Sequence, residues 1–132
     1  SKFTKRYFNR LMKNKGIVRN RLKIEAAINN AQRFLEVKKE FGTFSKYMWN
    51  FVHGHPIIST IRTMKDYKPI SKEAIVFAND LKKRGFRFLG PTTLYAHMQA
   101  VGMANDHMVG CFKRYGYRQS RASCMAKCRL SI

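Results

Sequence analysis

Leu81-Lys82-Lys83-Arg84-Gly85-Phe86-Arg87-Phe88-Leu89-Gly90-Pro91-Thr92-Thr93-Leu94-Tyr95-Ala96 is the stretch that decides the fold. Cations crowd the end of one helix, Gly85 permits the positive φ that stops it, and Pro91 suits the first position of the next. Gly90 leaves room for another backbone or a phosphate to come close. The second helix then opens with free N–H groups beside Lys83, Arg84 and Arg87, and the Thr92 and Thr93 hydroxyls lie within reach. That is an anion site fit for a nucleic-acid phosphate. Phe86, Phe88 and Leu89 are expected to be buried beneath the turn. The pattern is a helix-hairpin-helix, although a glycine-ended turn between two helices also serves as a plain connection.

Working outward, Ser71 caps a helix that runs to Arg84 with Ala74, Ile75, Ala78 and Leu81 inward. The helix after the hairpin continues to Ala100, and Gly102 stops it. Upstream, residues 2–15 space Phe3, Tyr7, Phe8, Leu11 and Met12 as one helical face, with Gly16 as the stop. Asn20 caps a longer helix to about Glu40, whose Ile24, Ala27, Ile28, Ala31, Phe34 and Leu35 form an apolar stripe read as core. A short helix from about Phe44 to His53 contributes Tyr47, Met48, Trp49, Phe51 and Val52. Trp49 reads as packing in that cluster, and His53-Gly54-His55-Pro56 reads as loop. Residues 54–70 form an irregular connection, and no strand of any length is expected. The architecture is all-α, with residues 1–115 as one helical domain and 116–132 as a basic tail.

Charge sets the partner class. The 132 residues carry 27 Lys and Arg against seven acids, a net charge of +20, with nothing acidic before Glu25 or after Asp106. So strong a field repels itself and draws polyanions from a distance. With 45% apolar residues, including ten Phe, six Tyr and seven Met, the chain has the composition of a folded body. No apolar run nears the roughly 18 residues a membrane-spanning helix needs, and the basic stretches lack a long apolar face for a membrane surface. Candidate phosphate contacts are Arg19, Arg21, Lys23, Lys83, Arg84, Arg87, Gly90, Thr92, Thr93, Lys113, Arg114, Arg118 and Arg121. Cations at a helix start oppose its dipole, so Arg19, Arg21 and Lys23 call for a phosphate or an acidic neighbour.

Arg84-Gly85-Phe86-Arg87-Phe88-Leu89-Gly90-Pro91-Thr92, then Met98-Gln99-Ala100-Val101-Gly102 and Asn105-Asp106-His107-Met108-Val109-Gly110-Cys111, closely resemble the C-terminal signature of the DNA-3-methyladenine glycosylase I family. Gly16-Ile17-Val18-Arg19-Asn20-Arg21-Leu22-Lys23-Ile24 and the segment Phe44 to Val52 resemble the same family in register. The resemblance covers residues 5–115. It implies a helix-hairpin-helix glycosylase fold in which His107 and Cys111 are two of four zinc ligands. It also implies a further N-terminal segment carrying the other two ligands, most of the aromatic base pocket and the glutamate that recognises the flipped methylated base. None of these is found in this sequence, so the expectation is the second half of a repair enzyme without the half that does the chemistry.

Zinc remains a possible cofactor on that reading. Spacing of four places His107 and Cys111 on one face of a helix, and Cys124 and Cys128 repeat it in the tail. The tail pair could complete a four-ligand site, a separate polypeptide could supply the missing ligands, or the cysteines could be reduced thiols of an intracellular protein. Asp106 reads as a helix cap or a partner of His107, and no residue is assigned as catalytic.

The high charge tips the functional reading toward a non-catalytic structural protein on RNA: a component of a ribonucleoprotein such as a mitochondrial ribosome, with neighbouring proteins as partners, RNA favoured over DNA, and an intracellular location, mitochondrial favoured over nuclear or cytoplasmic. The alternative is the C-terminal part of an active DNA-3-methyladenine glycosylase in base excision repair.

Overall fold

The computed structural model describes residues 5–114. Five α-helices dominate them: α1 (Lys5–Lys13), α2 (Arg21–Phe41), α3 (Phe44–Asn50), α4 (Lys72–Lys83) and α5 (Pro91–Ala100). The all-α expectation stands with one small addition. Ile57–Ile58 (β1) and Ala104–Asn105 (β2) pair in parallel, Ile57 opposite Ala104 and Ile58 opposite Asn105. Two residues each are too short to announce themselves by alternation, and the pairing exists only because the chain after α5 returns beside the long connection.

Helix starts follow local chemistry. The side chains of Asn20, Thr43 and Ser71 accept from the backbone N–H of Lys23, Lys46 and Ala74 in turn, each satisfying a donor that the first helical turn leaves open. Gly42, at φ 77°, ends α2 and lets α3 start two residues later. A one-turn 3-10 helix, Met64–Asp66, sits in the connection before α4, where the Asp66 carboxylate accepts from the N–H of both Arg62 and Thr63.

α4 and α5 pack against one another, and Phe77, Leu81, Met98 and Met103 between them are fully buried. An aromatic group from α3 closes the core on the α2 side. Tyr47 meets Phe77 edge-on with ring centroids 5.9 Å apart, and Phe51 stacks on Phe77 at 4.6 Å. Trp49 packs at the margin of this core, as its helical spacing foretold.

Two expectations about burial fail. Ile75 faces out from α4, where Ala74, Phe77, Ala78 and Leu81 form the buried face. More consequentially, α2 buries only Ala26 and Val37 along its 21 residues. The stripe read as core is instead exposed at Ala27, Ala31, Phe34 and Leu35 and half-buried at Ile24 and Ile28. The side of α2 that meets the rest of the domain is the polar one carrying Asn29, Asn30 and Arg33, because it has to satisfy the backbone of the hairpin.

Candidate nucleic-acid interface

The connection from α4 to α5 forms the expected hairpin, and its parts can be followed residue by residue. Arg84 caps α4, Gly85 adopts φ 82° and Phe86 turns back into the core with its N–H on the Leu81 carbonyl. α5 then starts at Pro91, with Gly90 as an N-cap that has no side chain to offer. The N–H groups of Thr92 and Thr93 have no acceptor among the described residues, and both side chains are exposed. Apart from its two chain neighbours, no described residue lies within 4 Å of where a Gly90 Cβ would stand, so the approach to this helix end is open.

Phe88 departs from expectation. It is 59% exposed at the tip of the hairpin and has a positive φ of 59°, a conformation costly for a bulky side chain and tolerated only where the surroundings impose it. Leu89 is half-buried, and only Phe86 lies truly under the turn.

What holds the turn was not legible from its own residues. Asn29 of α2 donates to the Gly85 carbonyl at 2.8 Å. Asn30 grips Arg87 from both directions, its Nδ2 donating to the Arg87 carbonyl and its Oδ1 accepting the Arg87 N–H, each at 2.8 Å. An adjacent Asn-Asn pair in mid-helix, where asparagine is a poor helix former, is the signal that could have revealed a fixed polar partner. Substituting Asn30→Ala is expected to cost about 1 kcal/mol, since both bonds are solvent-accessible, and to speed hydrogen exchange at the Arg87 amide. An unchanged Arg87 exchange rate would show that the clip carries no load.

Several expected phosphate contacts have other work. Arg84 does not face outward. Its Nε donates to Asp80 at 2.8 Å, its two terminal nitrogens reach Glu40 at 2.6 and 3.2 Å, and its guanidinium stacks over the rings of Phe41 and Tyr47. The hydrogen bonds to Glu40 and Asp80 push its pKa further up, and Asp80 also accepts from the Tyr47 hydroxyl at 2.7 Å. Arg84 thus ties α2, α3 and α4 together. Arg114 is likewise committed, donating to the carbonyls of Ser59 at 2.6 Å and His107 at 2.9 Å. Arg21 pairs with Glu25 at 2.8 Å, so for this helix start the acidic neighbour is the one observed. Among the described residues, Lys83, Arg87 and Lys113 are exposed with no carboxylate partner, as are Arg19 and Lys23 around the start of α2. Arg118 and Arg121 lie outside the described residues.

Carboxylates explain why so much positive charge is left over. Glu25, Glu36, Glu40 and Asp80 are in ion pairs, and Asp66 caps backbone. Asp106 accepts from Ser59 at one oxygen and from Tyr95 and Gln99 at the other. Burial pushes the Asp106 carboxyl up, but these three hydrogen bonds outweigh it and hold it below the usual range. A cavity of about 520 Å³ opens beside it, walled in part by Ser59, Ile61, Ile70 and Tyr95. Both Asp106 oxygens already accept hydrogen bonds, which lowers their basicity toward anything that enters that space. Among the described residues it hydrogen-bonds neither a helix N-terminus nor the His107 ring, with which it interacts only through charge: it pins the segment after α5 to the end of β1.

His107 and Cys111 do come together, though across a turn and not on a helix face. The Cys111 N–H bonds the Met108 carbonyl, and Cys111 Sγ lies 3.8 Å from His107 Nδ1. Neighbouring sulfur and nitrogen ligands of a tetrahedral zinc stand about 3.5 Å apart, from bonds of about 2.3 and 2.0–2.1 Å, so the pair fits two corners of such a site. Among the described residues no third His, Cys, Asp or Glu joins them. Cys124 and Cys128 lie outside those residues.

Residues 1–114 match the family model for methyladenine glycosylase. The chain is 38% identical over 102 residues to DNA-3-methyladenine glycosylase 1 of Escherichia coli strain K12, covering 77% of this chain and 54% of that protein. It is 37% identical over 100 residues to DNA-3-methyladenine glycosylase of Haemophilus influenzae, covering 76% and 54%. The structure of 3-methyladenine DNA glycosylase I from Staphylococcus aureus superposes with a TM-score of 0.80 at 34% identity, over 86% of this chain and 60% of that one. The chain thus spans little more than half the length of the relatives it matches. These findings overturn the RNA reading. Every one of these relatives is named for DNA, and nothing among them points to a ribosomal, mitochondrial or ribonucleoprotein role or to a preference for RNA. Net charge misled because it reports affinity for polyanions in general and cannot tell one backbone from another.

Proposed function

The chain belongs to the methyladenine glycosylase family, and from that premise we propose that it forms the DNA-gripping part of a DNA-3-methyladenine glycosylase acting in base excision repair. The observation that carries this reading is the hairpin: an open Gly90, with the N–H groups of Thr92 and Thr93 and the cations Lys83 and Arg87 all without a partner among the described residues. Such an arrangement takes one DNA phosphate on backbone donors and positions the duplex without reading its sequence. Excision of the base then depends on a pocket that receives the extruded nucleotide. That pocket belongs to the complete family fold, of which this chain spans a part.

The test is duplex binding by a variant that leaves the fold alone. Gly90 has φ −80° and ψ 164°, open to any residue, and empty space around its Cβ position. Gly90→Leu should therefore melt within about 2 °C of the parent while occupying the phosphate seat. Loss of charge-assisted hydrogen bonds worth about 1.5–3 kcal/mol predicts duplex binding weaker by at least tenfold. Equal affinity for the two proteins in fluorescence anisotropy would remove the hairpin from the interface.

Zinc is part of the same proposal. His107 and Cys111 would hold it with Cys124 and Cys128, and the metal would supply structural cross-linking of the C-terminal segment. Metal analysis is expected to find about one zinc per chain, lost in the Cys124→Ser, Cys128→Ser double variant. Retention of zinc by that variant would assign the remaining ligands elsewhere.

A further inference from the structure

The long helix α2 has two faces with different occupants. At 3.6 residues per turn, Ala26, Asn29, Asn30, Arg33 and Val37 share one side, and Ala27, Ala31, Phe34 and Leu35 lie about 130° away around the axis. The first side meets the hairpin and the core. The second is exposed, with Phe34 at 40% and Leu35 at 50% despite ring contact between Phe34 and Phe44. Apolar residues at 27, 31, 34 and 35 follow the spacing a helix uses to bury a stripe, and the two alanines would let another backbone come close.

Resting on the family assignment, we infer that this stripe is a docking surface for the polypeptide that makes up the rest of the glycosylase fold, in cis or in trans. Two observations choose that occupant. The chain spans 54% of its curated relatives and 60% of the S. aureus structure, so the family fold includes substantial polypeptide beyond this span. A second copy of the same chain is disfavoured by charge: each carries +20, and Lys38 and Lys39 on the same helix would be brought toward their own counterparts. The stripe is too apolar to serve DNA, whose backbone needs donors and cations.

The placement has a functional consequence. The helix whose outer face takes the remaining polypeptide is the one whose inner face clips the hairpin through Asn29 and Asn30. The part that would receive the extruded base and the part that would hold the phosphate are thereby registered to one rigid element, which sets the distance between them.

Co-expression supplies the test. The tagged chain is produced together with the stretch of the E. coli relative lying outside the matched span, and the two are purified through the tag. The expected result is a stoichiometric complex whose formation falls at least tenfold for Leu35→Glu and for Ala31→Glu. It should be unchanged for Val18→Glu, an 86% exposed apolar residue outside the stripe. All three sites are solvent-exposed, so far-UV circular dichroism should remain that of the parent, and duplex binding should be unchanged for Leu35→Glu and Ala31→Glu. Absence of the complex, indifference of the complex to Leu35→Glu, or self-association of the chain through this face would each overturn the inference. Its failure is separable from that of the DNA-gripping role: the complex can form in a chain that binds no duplex, and duplex binding can persist when Leu35→Glu abolishes the complex.

Discussion

Raising salt from 50 to 200 mM is expected to weaken binding of duplex DNA by about 500-fold, a slope of about −4.5 in log affinity against log salt. The figure follows from about five phosphates neutralised, each releasing counterions worth about −0.9 in slope. Five is well below the formal surplus because exposed cations are spread over the whole surface and one face alone can lie along a duplex. Arg84, Arg114 and Arg21 are also spent on Glu40, Asp80, Glu25 and backbone carbonyls, which leaves Lys83, Arg87 and their exposed neighbours for the phosphates beside the hairpin. Anisotropy titrations at four salt concentrations measure the slope directly. A value shallower than about −2 would mean that the basic surface does not lie along the DNA backbone, and one near −10, about eleven phosphates, would mean that contact extends far beyond the hairpin.

Removing one carboxylate should unsettle the domain almost as much as removing a core side chain. Asp106→Ala leaves the hydroxyls of Ser59 and Tyr95 and the amide of Gln99 without their acceptor, and Tyr95 is buried. At roughly 1 kcal/mol for each stranded donor the expected loss is about 3 kcal/mol, or some 10–15 °C in melting temperature for a domain this size. Acid should distinguish the variant from its parent. The Asp106 carboxyl has a folded pKa below its unfolded one, as do Asp66 and Asp80. Burial raises the Asp80 carboxyl, but hydrogen bonds from Tyr47 and Arg84 outweigh it, and for Asp66 the N–H groups of Thr63 and Arg62 dominate outright. A depressed pKa contributes stability that is complete above the unfolded value of about 3.9 and fades as pH falls through the folded value. Wild-type stability is therefore expected to drop below about pH 4, and the Asp106→Ala melting temperature to change less over the same interval. Parallel pH profiles for the two proteins would show that Asp106 is not held ionised by its donors.

The sequence by itself determined the hairpin, the helices around it and the family. Those follow from nearest-neighbour chemistry: Asn20 and Ser71 can cap whatever the rest of the chain does, Gly85 can turn where other residues strain, and Pro91 must begin a helix or break one. Which face each helix buries was decided only by tertiary structure. The stripe at Ala27, Ala31, Phe34 and Leu35 obeys helical periodicity as well as any core stripe does, yet this chain turns it outward, because periodicity states that a face is apolar and not what covers it. The same holds for charge. Arg84 and Arg87 stand three apart in one basic run, and only the folded positions of Glu40, Asp80 and Asn30 make the first a structural tie and leave the side chain of the second to solvent. Long-range partners fix such roles, since the free energy of a charged side chain depends on what lies within a few ångströms of it, and that neighbourhood is assembled from residues far apart along the chain.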